Sequence, residues 1–273
     1  MNRTPSSMAF IAALPKQHGA WTVFIACFVI GSFAGAGFGL KSMILLVSVV
    51  AAFFGRAALG LYLCLPQGEK KRKDLIAWIV FYSVMLLLSG AWLTARYELW
   101  LLGIMGIIGL ALTALSLGLE KYKKDMTLSG QIINIFGLSL VSPAAEYCAS
   151  GAYSSKTLGV WLVCILFFLG SLFHVRFLVR RRLEAAGELG ERLKAGSASL
   201  VFHLSALLAA GVLSKFRVIP LFAPLALVPG TLKALWPIVR RRGRAPLPVK
   251  HIGRLELIHT LIFLIIAIVI FRI

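Results

Sequence analysis

Hydrophobic residues occur in long runs along this chain, and short polar segments separate the runs. Nine runs of 15 to 24 residues predict membrane-crossing α-helices, and seven of them reach roughly 30 Å, the thickness of the hydrocarbon, at a rise of about 1.5 Å per residue. They cover residues 20–39, 42–65, 75–94, 99–119, 127–149, 158–179, 197–213, 218–239 and 257–271. The seventh run is short and only four residues separate it from the eighth, so eight helices remain an alternative. The pattern predicts an all-α, polytopic transmembrane bundle that forms one domain over residues 1–273, without a separate soluble domain.

The composition supports a membrane protein. Hydrophobic residues make up 59% of the 273 residues, charged residues make up 14%, and the mean hydropathy is +0.89. Soluble globular proteins contain about 45–50% apolar and about 25% charged residues. The composition therefore excludes a soluble enzyme, a disordered protein and an outer-membrane β-barrel.

The net charge of +19 is distributed unevenly between the two sides of the predicted bundle. About twenty Lys and Arg residues fall before the first run or after the even-numbered runs, against about six on the other side. By the positive-inside rule, this bias predicts a cytoplasmic N-terminus and a C-terminus outside. The cations lie in short clusters next to the membrane, which favours membrane lipids as partners and excludes nucleic acid. The sequence identifies no protein partner.

Three cations lie inside the hydrophobic runs, where a charge is costly and indicates function. Arg56 lies about nine residues from the cytoplasmic end of its helix, roughly 14 Å deep, which is too far for easy snorkelling. Small residues flank it. Arg176 and Lys233 lie closer to the ends of their helices and could extend to the headgroups.

The five histidines all map to the cytoplasmic side of this topology. His174 and His203 lie about 9 Å deep at matching levels on consecutive antiparallel helices. His259 follows Glu256 by one helical turn, so we expect that carboxylate to orient the imidazole. His18 precedes the first run.

Together these residues predict a cationic ligand-binding cavity that opens to the cytoplasm. Gln131 and Asn134 share one face of the fifth helix and add hydrogen-bonding groups. The candidate ligand-binding residues are His18, Arg56, Gln131, Asn134, His174, Arg176, His203, Lys233, Glu256 and His259. Within the hydrophobic runs, no two carboxylates lie one helical turn apart, as a magnesium-diphosphate site would require. We therefore expect no metal site and no cofactor, and the sequence assigns no catalytic residue.

The segment Leu14-Pro15-Lys16-Gln17-His18-Gly19-Ala20-Trp21 leads directly into a glycine-rich run. It resembles the opening of the YwiC-like family of bacterial integral membrane proteins. The length, the sixth run with His174 and Arg176, and the basic loop after it are similar to that family too. The resemblance implies a multi-pass protein of the bacterial cytoplasmic (inner) membrane, and the family implies no established activity.

The layout is also similar, more distantly, to the UbiA-type prenyltransferases. In that superfamily, Asp-rich motifs at the cytoplasmic ends of the second and sixth helices hold magnesium and a prenyl diphosphate. This chain has Arg56 in its second run, and His174 and Arg176 in its sixth. Without the carboxylates, the resemblance implies a degenerate, UbiA-like binding protein and leaves catalysis open.

Three functions fit these observations. The first is binding of an anionic or isoprenoid amphiphile in the cationic pocket. The second is transport of a small anion past the buried cations. The third is a haem-binding membrane subunit with His174 and His203 as axial ligands.

Overall fold

The computed structural model describes residues 18–66, 71–181, 189–239 and 249–273, and most of these residues are helical. Their α-helices are α1 (His18–Ala34), α2 (Leu40–Cys64), α3 (Lys71–Tyr97), α4 (Leu101–Lys121), α5 (Leu128–Ser139), α6 (Val141–Ser150), α7 (Ser155–Arg181), α8 (Leu189–Lys215), α9 (Val228–Val239) and α10 (Val249–Arg272), and a 3₁₀ helix covers Ala223–Leu227. The described part of the chain contains no β-strand.

Seven helical segments in these ranges are long and apolar enough to cross a membrane. Two shorter apolar segments, Gly19–Ala34 and Ala223–Val239, complete the nine expected from the sequence. The prediction of an all-α, polytopic membrane bundle is confirmed. Which terminus lies in the cytoplasm stays a prediction.

The fifth predicted run forms two helices, α5 and α6, that continue one another through a break at Leu140. Pro143 lies in the first turn of α6, and proline has no backbone N–H to donate to the carbonyl four residues earlier. That carbonyl belongs to Ser139, and the hydroxyl of Ser142 donates to it at 2.8 Å. The side chain thus replaces the missing backbone bond inside the membrane, where an unsatisfied carbonyl is costly.

The seventh and eighth runs differ from the expected lengths. The seventh, predicted to cover 197–213, is part of the 27-residue helix α8. The eighth, predicted to cover 218–239, contains only the 3₁₀ helix and the 12-residue α9. Pro224 lies in the first turn of the 3₁₀ helix and Pro229 in the first turn of α9, positions that suit the fixed φ of proline.

A tight turn separates α8 from the 3₁₀ helix, so the seventh and eighth runs do not form one continuous helix. Arg217 has a left-handed φ of 58°, and the Ser214 hydroxyl donates to the Leu221 carbonyl at 3.0 Å. The chain reverses there, so the eight-helix alternative does not hold.

Helix α1 lies at the centre of the bundle, where it packs closely on α6. A Cβ atom on Gly31 would collide with the Ser142 carbonyl, and one on Gly35 would come within 2.8 Å of the Glu146 carbonyl. The two glycines therefore allow the backbones to approach closely, as small residues do in membrane helices. The largest core cluster joins α1 to α5, α7, α8 and α10 through buried residues such as Phe167 and Phe263, whose rings stack at 3.8 Å.

Helices α3 and α4 lie at the edge of the bundle and expose most of their surface. Their outer faces carry large apolar side chains, such as Leu87, Leu88 and Ile107, that are 68–70% exposed and suited to lipid. Helix α3 packs along α2, while α4 packs against α5. A groove therefore remains between α3 and α4, and residues of α2 and α5 form its base.

Candidate functional site

Arg56 extends from α2 into a polar cluster with residues of α4 and α5. Its Nη2 donates to the Ser116 hydroxyl at 2.7 Å and lies 3.5 Å from Asn134 Oδ1. The Ser116 hydroxyl in turn donates to Asn134 Oδ1 at 2.5 Å. The three side chains therefore form a closed hydrogen-bond network, which satisfies polar groups that a hydrocarbon environment would leave without partners.

Glu120 adds a carboxylate to this cluster. Its Oε2 lies 3.5 Å from Arg56 Nη2, and the two side chains are 33% and 27% exposed. The fourth predicted run ends at residue 119, just before Glu120, but the last turn of α4 holds Glu120 one helical turn beyond Ser116. The carboxylate of Glu120 offsets the charge of Arg56. This polar cluster is therefore closer to neutral than the cationic pocket expected from the sequence.

A cavity of about 370 Å³ begins at this cluster and runs along the groove between α3 and α4. Arg56, Ser116 and Asn134 line one end of it. Most of the remaining lining is apolar, and comes from Phe24, Leu45, Val49, Phe53, Ile79, Leu86, Leu102, Met105, Leu110 and Leu138. The cavity lies within the size range of small-ligand sites, about 300–1,000 Å³.

The glycines of α4 contribute to this space. The triplet Gly103, Gly106 and Gly109 is typical of close helix packing. In the structure, a Cβ atom on Gly103 or Gly106 would meet nothing within 4 Å, and one on Gly109 would only touch Leu140. Gly106 and Gly109 line the cavity, so these two residues leave room in it.

Arg176 bonds outside this cavity. Its Nη1 donates to Gln131 Oε1 at 2.6 Å, and its side chain is exposed. Gln131 and Asn134 lie one turn apart on α5, as expected, but they bond different arginines. Helix α5 therefore connects Arg176 on α7 to Arg56 on α2 by two separate hydrogen bonds.

Lys233 forms a second polar cluster in the half of the bundle built from α7 to α10. Its Nζ donates to Glu256 Oε2 at 2.8 Å and to Oε1 at 3.0 Å. The Ser171 hydroxyl donates to the same carboxylate. The Lys233 side chain is only 7% exposed, so the ion pair is buried and does not reach the headgroups. Lys233 therefore does not snorkel.

Glu256 does not orient His259 in the way expected from the sequence. His259 Nδ1 lies 2.7 Å from the Leu255 carbonyl, while the carboxylate bonds Lys233 and Ser171. The buried ammonium of Lys233 carries a full positive charge and needs a counter-ion. It therefore attracts the Glu256 carboxylate more strongly than the imidazole of His259 does.

The two deep histidines have different surroundings. His203 Nδ1 lies 2.7 Å from the Ser199 carbonyl, which can only accept, so this nitrogen carries the proton. Its other edge packs on Gly170. His174 is 3% exposed, and its Nδ1 has no hydrogen-bond partner among the described residues.

The space beside His203 is small. The cavity that it lines with Ser171, Thr231 and Lys233 measures about 10 Å³, close to the volume of one water probe. That volume cannot hold a porphyrin, and the geometry therefore gives no support to axial ligation by His174 and His203.

The structure places six of the ten candidate residues in two regions, while Gln131 and Arg176 form a pair outside the cavity and His174 is buried on α7. Arg56 and Asn134 line the large cavity, while His203, Lys233, Glu256 and His259 belong to the α7–α10 half. Each of the three cations within the runs has a side-chain oxygen partner, which disfavours an open path for a small anion. The side chain of His18 lies outside the described residues.

Sequence reasoning missed Ser116, Glu120 and Ser171 as partners of the charged groups. One signal was present: Ser116 and Glu120 lie four residues apart, on one face of an otherwise apolar helix. No local signal connects either residue to Arg56, which is 60 positions away from Ser116.

Comparisons with known proteins confirm the resemblance to the YwiC-like family. The YwiC-like protein family matches residues 14–146. The "Uncharacterized protein YwiC" of Bacillus subtilis (strain 168) is 26% identical over 260 residues, which cover 93% of this chain and 95% of that protein. The family match contains α1 to α5 and most of α6, and therefore includes Arg56, Ser116, Glu120 and Asn134. No solved structure matches the chain.

Proposed function

We propose that this YwiC-like, multi-pass membrane protein binds an anionic or isoprenoid amphiphile, with the headgroup at Arg56 and the tail along the α3–α4 groove. One observation carries the proposal: the cavity of about 370 Å³ is polar at one end and apolar along most of its length. A molecule with one polar end and one apolar chain is complementary to such a space.

The polar end can hold a headgroup by hydrogen bonding. A guanidinium has five N–H donors, and the described bonds of Arg56 to Ser116, Asn134 and Glu120 all use Nη2. A phosphate, carboxylate or carbonyl oxygen could accept from the other nitrogens. The bond to Glu120, at 3.5 Å, is long and can be exchanged for a ligand at low cost.

The apolar part of the cavity can hold a tail by close van der Waals contact. Its walls are leucines, isoleucines, phenylalanines and glycines from helices α1 to α5. None of the described residues that line it is Asp or Glu. A UbiA-like reaction through carboxylate-bound magnesium is therefore not part of the proposal, which concerns binding and assigns no reaction.

The proposed location is the bacterial cytoplasmic membrane, with the Arg56 end of the cavity toward the cytoplasm. Helix α2 ends at Cys64, eight residues after Arg56, and the described basic residues Arg72 and Lys73 follow in α3. The same end of the bundle carries Lys121 and Lys124. Anionic headgroups concentrate on a basic side of this kind.

The test uses native mass spectrometry of the purified protein released from mild detergent. We expect wild-type protein to retain a co-purified amphiphile and Arg56→Ala to lose it while still inserting and eluting as a monodisperse species. Arg56→Lys should retain only part, because lysine keeps the charge and lacks the planar fork.

Arg176→Ala is the matched control, since this arginine also lies in a span but bonds Gln131 outside the cavity. It should retain the amphiphile. Equal retention by Arg56→Ala and wild type, or equal loss from Arg56→Ala and Arg176→Ala, would contradict a headgroup site at Arg56.

A further inference from the structure

The large cavity has its opening on the side of the bundle, between α3 and α4. Ser83 on α3, and Gly106 and Leu110 on α4, all line the cavity. All three are also exposed, Leu110 by 64%. Residues that both line a cavity and are exposed at the surface mark the mouth of that cavity.

The level of this mouth decides which phase it faces. Ser83 lies at the middle of the 27-residue α3, and Leu110 lies at the middle of the 21-residue α4. The adjacent outward-facing residues Leu87 and Ile107 are 70% and 69% exposed. Because both helices cross the membrane, the mouth opens into the hydrocarbon core and not into water.

We infer that the ligand is a membrane-resident, single-chain amphiphile that enters sideways from the bilayer through the gap between α3 and α4. This inference rests on the proposed function, because it takes the Arg56 end as the headgroup site. It adds the substrate class and the route: a hydrophilic solute would have to cross hydrocarbon to reach this mouth, whereas a lipid is already there.

Two glycines shape the end of the groove that is distant from Arg56. Gly90 on α3 and Gly106 on α4 both line the cavity, and a Cβ atom on either would meet nothing within 4 Å. Gly106 and Ser116 are ten residues apart on α4, which corresponds to about 15 Å along the helix axis. The groove therefore extends for about 15 Å between these levels, and the two glycines leave space for an alkyl chain between the helices.

The direction of the ligand follows from these positions. The polar cluster lies near one end of α4 and Gly106 lies near the other, so a headgroup at Arg56 places the tail toward the opposite leaflet. The ligand then lies roughly parallel to the lipids around it. Sideways entry requires no inversion of the molecule and no passage of its headgroup through the bundle core.

The experiment uses purified protein in phosphatidylcholine vesicles that contain a long-chain fatty acid with a photoactivatable diazirine near its tail end. After illumination, peptide mass spectrometry locates the adducts. On wild-type protein we expect adducts concentrated on cavity-lining residues of the groove, such as Leu86, Gly90 and Met105. This map is independent of any variant and therefore of any folding defect.

A matched pair of substitutions on α4 then tests the groove itself. Gly106→Phe places a ring in the cavity and should reduce groove adducts to background. Gly103→Phe is the control: this glycine also meets nothing within 4 Å but does not line the cavity, so adducts should remain.

Adducts restricted to outward residues such as Leu87 and Ile107, or equal groove labelling in both glycine variants, would overturn the sideways route. Arg56→Ala separates this inference from the proposed function. Groove labelling that persists in Arg56→Ala supports the route and contradicts the headgroup site. Labelling lost in Arg56→Ala but unchanged in Gly106→Phe supports the headgroup site and contradicts the route.

Discussion

The guanidinium of Arg56 donates to the Ser116 hydroxyl at 2.7 Å, which joins the C-terminal half of α2 to the last turns of α4. The two residues are 60 positions apart, and α3 lies between them in sequence but not in space. Arg56 lines the cavity and its side chain is 27% exposed, so the arginine is both held in place and accessible from the groove. The same bond therefore stabilises the bundle and positions a donor at the end of the cavity.

Asn134→Ala should weaken retention of the amphiphile, because it removes the amide oxygen that accepts from Ser116 and lies 3.5 Å from Arg56. Without that acceptor the guanidinium is less well positioned. Native mass spectrometry of the purified variant measures the bound fraction. Gln131→Ala, one turn earlier on α5, removes the partner of Arg176 instead and should leave retention unchanged. Similar losses in both variants would indicate a general defect in α5.

Glu120→Gln should strengthen binding of an anionic fatty acid, because it removes a negative charge 3.5 Å from Arg56 Nη2. For a partly exposed pair the gain should be about two- to fivefold, equivalent to roughly 0.5–1 kcal/mol. Titration of the probe into detergent-solubilised protein measures it. A fatty alcohol of the same chain length is the uncharged control, and its affinity should not change. An equal gain for both probes would contradict the electrostatic explanation.

Lys233→Met should destabilise the protein by about 3–5 kcal/mol, because it leaves the Glu256 carboxylate buried without its counter-ion. Thermal unfolding in detergent measures the effect. The double variant Lys233→Met with Glu256→Gln should recover much of the loss, since no net charge then remains in the cluster. No recovery in the double variant would show that Lys233 acts through packing and not through the ion pair.

Gly31→Ala should destabilise the bundle by about 1–3 kcal/mol, because its new Cβ atom collides with the Ser142 carbonyl on α6. Gly19→Ala in the same helix is the control. A Cβ atom there meets nothing within 4 Å, and the loss of a flexible residue should leave stability equal or slightly higher. Thermal unfolding should therefore show a loss of stability in Gly31→Ala and none in Gly19→Ala. A neutral Gly31→Ala would mean that α1 and α6 can separate at little cost.

The orientation can be tested by labelling single cysteines from either side of the membrane. In a Cys64→Ser background, because Cys64 is exposed, Lys124→Cys should react with a membrane-impermeant maleimide only after cells are opened. Tyr153→Cys, in the exposed turn between α6 and α7, should react in intact cells. The reverse pattern would place the N-terminus outside and would contradict the positive-inside interpretation.

The sequence predicted the helices well where hydrophobic length alone decides the structure. It was less accurate where proline or a turn interrupts an apolar run, as at Pro143 and before Pro224. There, local backbone chemistry competes with hydrophobicity: the Ser142 hydroxyl replaces a backbone donor, and Ser214 closes the turn at Arg217. Hydropathy does not detect either effect, since both depend on single hydrogen bonds.

For the candidate site, the cost of burying a charge identified Arg56 and Lys233 from the sequence alone. It did not identify what neutralises them. Glu120 follows the end of a predicted run and looked like a loop residue, whereas Glu256 was expected to orient His259. Only the packing of α4 on α2 and of α10 on α9 brings each carboxylate to its cation.

What the sequence determined by itself is therefore the class of protein and its membrane-spanning helices, because hydrophobic length, charge and turn chemistry are local properties. The tertiary structure decided where those helices leave space. Sequence alone does not distinguish Gly31 from Gly106, because each is a glycine within a hydrophobic run, yet Gly31 lets α1 pack tightly against α6 and Gly106 leaves the α3–α4 groove open. That difference depends on which helix lies opposite each glycine, and it is set by the packing of the whole bundle.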